Sequence, residues 1–313
     1  MKRFVFIFFT CLLVWGCKIS TPTPREGFVT VPGGRIWYKV VGTGNKTPLL
    51  VIHGGPGSNS CRNIPGYSLL ADDRPVIFYD QLGSGNSERP TDTTLWQLPR
   101  FVQEVVALRQ ALGLKQLHIL GSSWGGAVAV EYLLTQQTQG IKSAIFSGPL
   151  ISTRRWMQDA KMLIAQLPVA VQDTIQKYES LKKYEAPAYK IATDAFYAQF
   201  MSRRTGAPAF TAQCDTVAGF NRQVYEYMWG PTEFTATGTL LHFDRENRLP
   251  ELKMPVLFIA GRYDEARPET MYQFQNLVPG SQVTIIEDAG HAQVRDQPEK
   301  YTQAIRAFLK AVE

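Results

Sequence analysis

The sequence predicts an α/β chain with a mostly parallel central sheet, helices on both faces and an inserted helical lid domain. Three observations predict it. Short apolar runs at 49–52, 76–79, 117–120, 143–147 and 256–260 are bounded by turn residues and alternate with stretches of helical spacing. Continuous apolar strands of this kind are buried on both faces, the mark of a parallel sheet covered by helices. The stretch Gly121-Ser122-Ser123-Trp124-Gly125 fits G-x-S-x-G between a strand-like run and a helix-like run. That strand–turn–helix setting exposes the central serine as a nucleophile. From 152 to 239 strand-like runs vanish, and three helical stretches (156–167, 170–184, 188–201) are broken by Pro168, Pro187 and Pro208.

The chain has 313 residues, 44% apolar and 19% charged, enough for a full core and a small second domain. The formal net charge is +6, spread along the chain with no basic cluster among aromatics, so nucleic acid is excluded as a partner. There is no C-x-x-C and no metal-ligand spacing, and no metal or cofactor is expected.

Residues 1–17 read as a signal. Lys2-Arg3 is basic, and 4–15 is apolar but too short for an ordinary spanning helix. Val14-Trp15-Gly16-Cys17 resembles the bacterial lipoprotein cleavage site, with Trp15 where that signal has a small residue. The resemblance implies lipid on Cys17 and an exported, membrane-anchored body facing the periplasm or the cell surface. A plain secretory signal and a short uncleaved anchor are the other readings. Residues 18–27, with Pro and Thr, read as a tether. Cys61 and Cys214 remain, in a compartment that permits disulfides, either paired or as two free thiols.

The first core part is 28–151. Residues 28–31 and 35–41 alternate around Pro32-Gly33-Gly34 as a hairpin. The strand at 49–52 runs into His53-Gly54-Gly55-Pro56-Gly57, a loop whose backbone N–H groups can face a ligand. An oxyanion hole takes one N–H from this loop and one from the residue after the nucleophile, which nominates Gly55 and Trp124. His53 precedes the nucleophile, the wrong order for its base, and reads as a loop histidine bonded to backbone. Asp80-Gln81-Leu82-Gly83-Ser84-Gly85 is no nucleotide loop. Glu88 stands where G-x-G-x-x-G needs glycine, and the turn reads as support for the site's rim. Residues 99–112 read as a helix stopped by Gly113. The insertion, 152–239, follows the 143–147 strand and reads as a lid over Ser123. The second core part is 240–313.

A serine hydroxyl needs a base within reach and an acid to orient that base, in the chain order Ser, Asp or Glu, His. The strand at 256–260 leads to Asp264 and the strand at 282–286 leads to His291, so Ser123, Asp264 and His291 satisfy the order. Asp288 shares a short loop with His291 and reads as a turn cap. His242 reads as packed beside Leu240, Leu241 and Phe243. Trp124, Phe146, Tyr225 and Trp229 are either pocket or core. Pro298 opens a closing amphipathic helix.

Four stretches together resemble the α/β-hydrolase fold and, within it, the proline iminopeptidases: His53-Gly54-Gly55-Pro56-Gly57, Asp80 to Gly85, Gly121-Ser122-Ser123-Trp124-Gly125-Gly126, and Gly230-Pro231-Thr232-Glu233-Phe234. The resemblance runs from about Phe28 to the C-terminus. It implies release of an N-terminal residue, often proline, from a peptide with a free N-terminus. It also implies that Glu233 and Glu265 bind the substrate's amine. A peptide α-amino group has a pKa near 7.7–8.0, so it is mostly ammonium at pH 7, and two carboxylates would select it. A general serine esterase or amidase on the same fold would keep the triad without needing Glu233. A non-catalytic lipoprotein that binds peptide or glycan would need neither.

Overall fold

The computed structural model describes residues 25–136, 138–204, 214 and 217–313. The signal-like segment with Cys17, most of the tether and Pro208 lie outside them. In chain order the strands are β1 (Glu26–Val31), β2 (Gly34–Val41), β3 (Leu49–Ile52), β4 (Val76–Tyr79), β5 (Leu117–Ser122), β6 (Ile141–Ser147), β7 (Val256–Gly261) and β8 (Gln282–Ile286). The helices are α1 (Ile64–Tyr67), α2 (Leu98–Ala111), α3 (Trp124–Thr135), α4 (Thr153–Ile164), α5 (Val169–Ser180), α6 (Pro187–Phe200), α7 (Arg222–Met228), α8 (Pro268–Leu277), α9 (Gln293–Asp296) and α10 (Pro298–Val312).

All eight strands form one sheet in the order β1-β2-β4-β3-β5-β6-β7-β8. β1 and β2 are an antiparallel hairpin, β2 joins β4 antiparallel, and every later pair is parallel. Side chains alternate across a strand. In β5, Ile119 therefore enters the core under α2 and α3, while Leu120 enters the core under α1 and α10. Both faces are apolar, which is why the central strands read as unbroken apolar runs. Each fully buried Leu, Ile, Val or Phe contributes about 1.5–3 kcal/mol relative to exposure.

The helical insertion lies between β6 and β7. Ser152 caps α4 by accepting from the Arg155 N–H. α4, α5 and α6 enclose an apolar cluster of their own, with Leu163, Leu167, Ile175, Tyr189, Phe196 and Phe200. Four helices, α1, α7, α8 and α9, go beyond the sequence reading. α7 has only seven residues, and its signal is the cap Asn221 rather than a period. α8 opens on Pro268 at its first turn, the position that tolerates proline.

The middle of the insertion is fastened to loops of the core. The Phe200 and Met201 carbonyls, at the end of α6, accept from the His291 and Ala292 N–H groups at 2.8 Å. Asn221, before α7, donates its N–H to Gly57 O and its amide to Gly83 O, each at 2.8 Å. Cys61 and Cys214 are joined in a disulfide that also links the core to this segment. Among the described residues no helix is long and apolar enough to cross a membrane.

Candidate active site

Ser123 sits between β5 and α3 with φ 56° and ψ −124°, a conformation that L side chains rarely adopt. Its neighbours hold it there. The Ser123 N–H donates to Ser147 O at 3.0 Å, and its carbonyl accepts from Gly126 and Leu150 at 2.8 and 3.0 Å. Gly125 is required by close approach, because a Cβ there would come 2.2 Å from the Ile52 carbonyl. Trp124 is the first residue of α3, so its N–H has no acceptor within the helix. Ser123 shares a cavity of about 160 Å³ with Gly54, Gly55, Tyr225, Glu233 and His291.

Asp264 is fully buried just past β7. Its Oδ1 accepts from His291 Nδ1 at 2.7 Å and from the Ala266 N–H at 2.8 Å. Its Oδ2 accepts from the Gly261 N–H at 3.2 Å and from the Gln293 side-chain amide. With Nδ1–H committed to Asp264, the neutral imidazole keeps Nε2 as an acceptor. Trp156 of the insertion packs edge-on against this ring, 5.6 Å between centroids.

Two further carboxylates surround the imidazole. Glu265 Oε1 is 3.6 Å from His291 Nε2, and neither Glu265 oxygen has a hydrogen-bond partner among the described residues. Burial, then the nearby Glu233, pushes the Glu265 carboxyl well above its ordinary range. Burial also raises Glu233, while the Tyr225 hydroxyl and His291 pull it back. Burial alone would lower His291, but the charges of Asp264, Glu265 and Glu233 outweigh it and take the imidazole up to about 9. The site thus gathers Asp264, Glu265 and Glu233 around one imidazole. Among the described residues no group of three or more His, Cys, Asp or Glu is placed to hold a metal ion.

The other sequence candidates fall elsewhere. His53 is buried, its Nε2 accepting from the Gln81 N–H at 3.0 Å while its Nδ1 meets Gly54 O at 2.7 Å. Gln81 in turn accepts from Trp124 Nε1 at 2.8 Å, tying this loop to the elbow. Asp80 accepts from Ser60 and from the Asn86 N–H, bracing its own turn. His242 is exposed, not packed, because the chain turns there and buries only Leu240 and Phe243. Asp288 has φ 62° in a turn and pairs with Lys300 at 3.3 Å, away from the imidazole. Trp124, Phe146 and Trp229 are core, and Tyr225 alone of the four aromatics lines the cavity. Sequence reasoning missed Gln293, Trp156 and Gly148. Gly148, at φ 50°, leaves room for the acid–imidazole pair, since a Cβ would come 2.8 Å from His291 Nδ1 and 3.0 Å from Asp264 Oδ2.

Residues 47–296 match the alpha/beta hydrolase fold family. The chain is 43% identical over 289 residues to the proline iminopeptidase of Heyndrickxia coagulans, covering 92% of this chain and 99% of that one. It is 33% identical to the proline iminopeptidase of Clostridium botulinum, covering 91% and 97%. The solved proline iminopeptidase of Mycobacterium smegmatis superposes with TM-score 0.80 at 31% identity, over 91% of this chain and 98% of that one. The solved structure of VinJ superposes with TM-score 0.85 at 29% identity, over 93% and 100%. A fold shared end to end, with the elbow serine, the Asp264–His291 pair and the paired glutamates brought to one place, goes with these likenesses: the chain belongs to the α/β-hydrolase fold family and, within it, to the proline iminopeptidases.

Proposed function

We propose that this chain is a serine aminopeptidase that releases N-terminal proline from peptides through an acyl-enzyme. One observation carries the reading: the cavity that holds Ser123 and His291 also holds Glu233, with Glu265 against the same imidazole. A volume of about 160 Å³ is the liquid share of roughly five waters, the scale of one residue rather than a peptide chain. A substrate ammonium between Glu233 and Glu265 stabilises their ionised forms, which burial disfavours. It also fixes the N-terminal residue's carbonyl at Ser123 and excludes chains that continue past the amine.

His291 Nε2 takes the Ser123 proton as the hydroxyl attacks the carbonyl, and later delivers it to the leaving amine. Asp264 holds the tautomer and stabilises the imidazolium. The Gly55 and Trp124 N–H groups receive the oxyanion, where loss of one donor costs roughly 10²–10³ in rate. Water then repeats the sequence to release the amino acid. The helical insertion acts as the lid.

Export and a lipid on Cys17 form the finer part of the reading. The disulfide Cys61–Cys214 supports it, since such bonds persist in oxidising compartments. Metabolic labelling with an alkynyl fatty acid, lost in Cys17→Ser, tests it.

The test of activity is hydrolysis of proline β-naphthylamide beside its N-acetylated form, with Ser123→Ala as blank. Cleavage of the free amine alone, lost in Glu233→Gln, is expected. Equal cleavage of both forms, or of simple esters only, would leave a general serine hydrolase.

A further inference from the structure

Asp264 is the end of a buried chain of hydrogen bonds that begins under α1 and α10. Tyr67 and Tyr301 share a hydroxyl hydrogen bond of 3.2 Å. The Tyr301 hydroxyl donates to Ser147 Oγ at 2.9 Å, and Ser147 donates to Gln293 Oε1 at 3.2 Å. The Gln293 amide nitrogen donates to Asp264 Oδ2. All five residues are buried.

The direction of this chain follows from what each group can do. An ionised carboxylate only accepts, so Gln293 presents its NH2 to Asp264. Its carbonyl oxygen also only accepts, so Ser147 spends its one proton there. Ser147 then accepts from Tyr301, whose oxygen accepts from Tyr67. Four donors thus point one after another toward the triad acid, and each fixes the orientation of the next. The two Asp264 oxygens divide the work. Oδ1 faces His291 and the Ala266 N–H, while Oδ2 faces Gln293 and the Gly261 N–H. Of these four donors, Gln293 is the only side chain apart from the imidazole itself.

We infer that Gln293 is a positioning residue for the Ser123 reaction, holding the Asp264 carboxylate in the plane that presents Oδ1 to His291 Nδ1. The Tyr67–Tyr301–Ser147 chain fixes which end of its amide faces the acid. The inference rests on the serine-hydrolase reading of Ser123, Asp264 and His291, and not on the identity of the peptide. A purely packing role for Gln293 would leave these donors dispensable. The titratable and charged groups around it are Asp264 and Glu265 beyond β7, His291 and Arg295 on its own side, Glu233 from the insertion, and Tyr67 and Tyr301 from α1 and α10.

The experiment measures the rate at which a serine-directed phosphonate labels Ser123, as a function of pH, in the full chain. Proline β-naphthylamide turnover is measured alongside. Variants are Gln293→Leu, Gln293→Glu and Tyr301→Phe. A hydrogen bond to a charged group is among the stronger ones, so Gln293→Leu is expected to slow labelling on the order of tenfold or more. Turnover should show the same loss in kcat, with KM nearly unchanged. Gln293→Glu is near-isosteric and places a second carboxylate against Asp264. The added negative charge stabilises the imidazolium, so the base is neutral only at higher pH, and the acidic limb of the labelling rate moves to higher pH. Tyr301→Phe removes the donor that orients the Ser147 hydroxyl and gives a smaller loss in the same direction. Wild-type labelling rate and wild-type limb in Gln293→Leu and Gln293→Glu would overturn the inference. Should Gln293→Leu fail to fold, an unmoved limb in Gln293→Glu overturns it alone. Wild-type protein that labels but does not turn over the proline substrate would count against the aminopeptidase reading and leave this inference to be decided by the limb.

Discussion

Glu265 Oε1 lies 3.6 Å from His291 Nε2, on the side of the imidazole opposite the Asp264 hydrogen bond. The Glu265 side chain is 2% exposed and neither oxygen has a hydrogen-bond partner among the described residues. A buried carboxyl held without donors is a stability cost, and under the proposed function the substrate's ammonium is the group that offsets it.

Glu265→Gln should therefore trade activity for stability. The folded-state carboxyl titrates well above its ordinary value, so between the unfolded and folded pKa values the native state binds more protons than the unfolded state. Stability then falls as pH rises through that window. The glutamine removes this slope. Above the ordinary carboxylate range the variant's Tm is expected to exceed wild type by about 2–4 °C, what ~1 kcal/mol is worth in a large chain. The gap should close toward acid pH. Removing the charge also lowers His291 from about 9, so the acidic limb of kcat/KM moves to lower pH. Thermal melts and rate profiles across pH check both signs.

Gly148→Ala tests the spacing of the acid and the imidazole. A Cβ would come 2.8 Å from His291 Nδ1 and 3.0 Å from Asp264 Oδ2, at a φ of 50° that alanine resists. Displacing that pair by a fraction of an ångström should reduce kcat on the order of 10²-fold. KM should change little, because Glu233 is untouched. An unchanged kcat would show that the pair tolerates the shift.

The elbow was legible because three local signals agreed there: the apolar β5 run, small residues around Ser123, and the α3 period. Asp264 and His291 followed from chain order once Ser123 was placed. Other features depend on tertiary approach and leave little trace in local pattern. Gln293 lies two residues past His291 and carries no period or motif; only the fold brings it to Asp264 and Ser147. The Cys61–Cys214 pairing joins positions 153 residues apart, which composition could not choose over free thiols. His242 misled because its apolar neighbours imply burial, yet Leu241 beside it is itself exposed.

Backbone strain at Ser123 gives a comparison free of chemistry. Ser123→Ala and Ser123→Gly both remove the hydroxyl, and both should abolish turnover. They differ in Cβ alone. At φ 56° and ψ −124° a Cβ costs of order 1–3 kcal/mol that glycine does not incur. Glycine gives back part of that through unfolded-state entropy, roughly 0.5–1 kcal/mol. Ser123→Gly is thus expected to unfold at higher denaturant than Ser123→Ala. The reverse order would mean that the elbow is held without strain.

At one end of the disulfide, Cys61 follows the Gly-rich loop closely, and its neighbour Ser60 donates to Asp80, so this end is anchored in the core beside the site. Cys214 lies in the segment before α7, which reaches the same loop through the Asn221 bonds to Gly57 and Gly83. The bond closes a long loop, and such a link is worth about 2–4 kcal/mol. Reduction, or Cys61→Ser with Cys214→Ser, should lower Tm. Because Phe220 and Tyr225 of the same region line the cavity with Glu233, KM for the free-amine substrate should rise more than kcat falls. Thiol titration of the denatured chain without reductant reads the pair directly. Melts and kinetics with and without reductant then separate a stabilising link from one that also sets the geometry around Glu233. A fall in Tm with KM unchanged would confine the disulfide to stability.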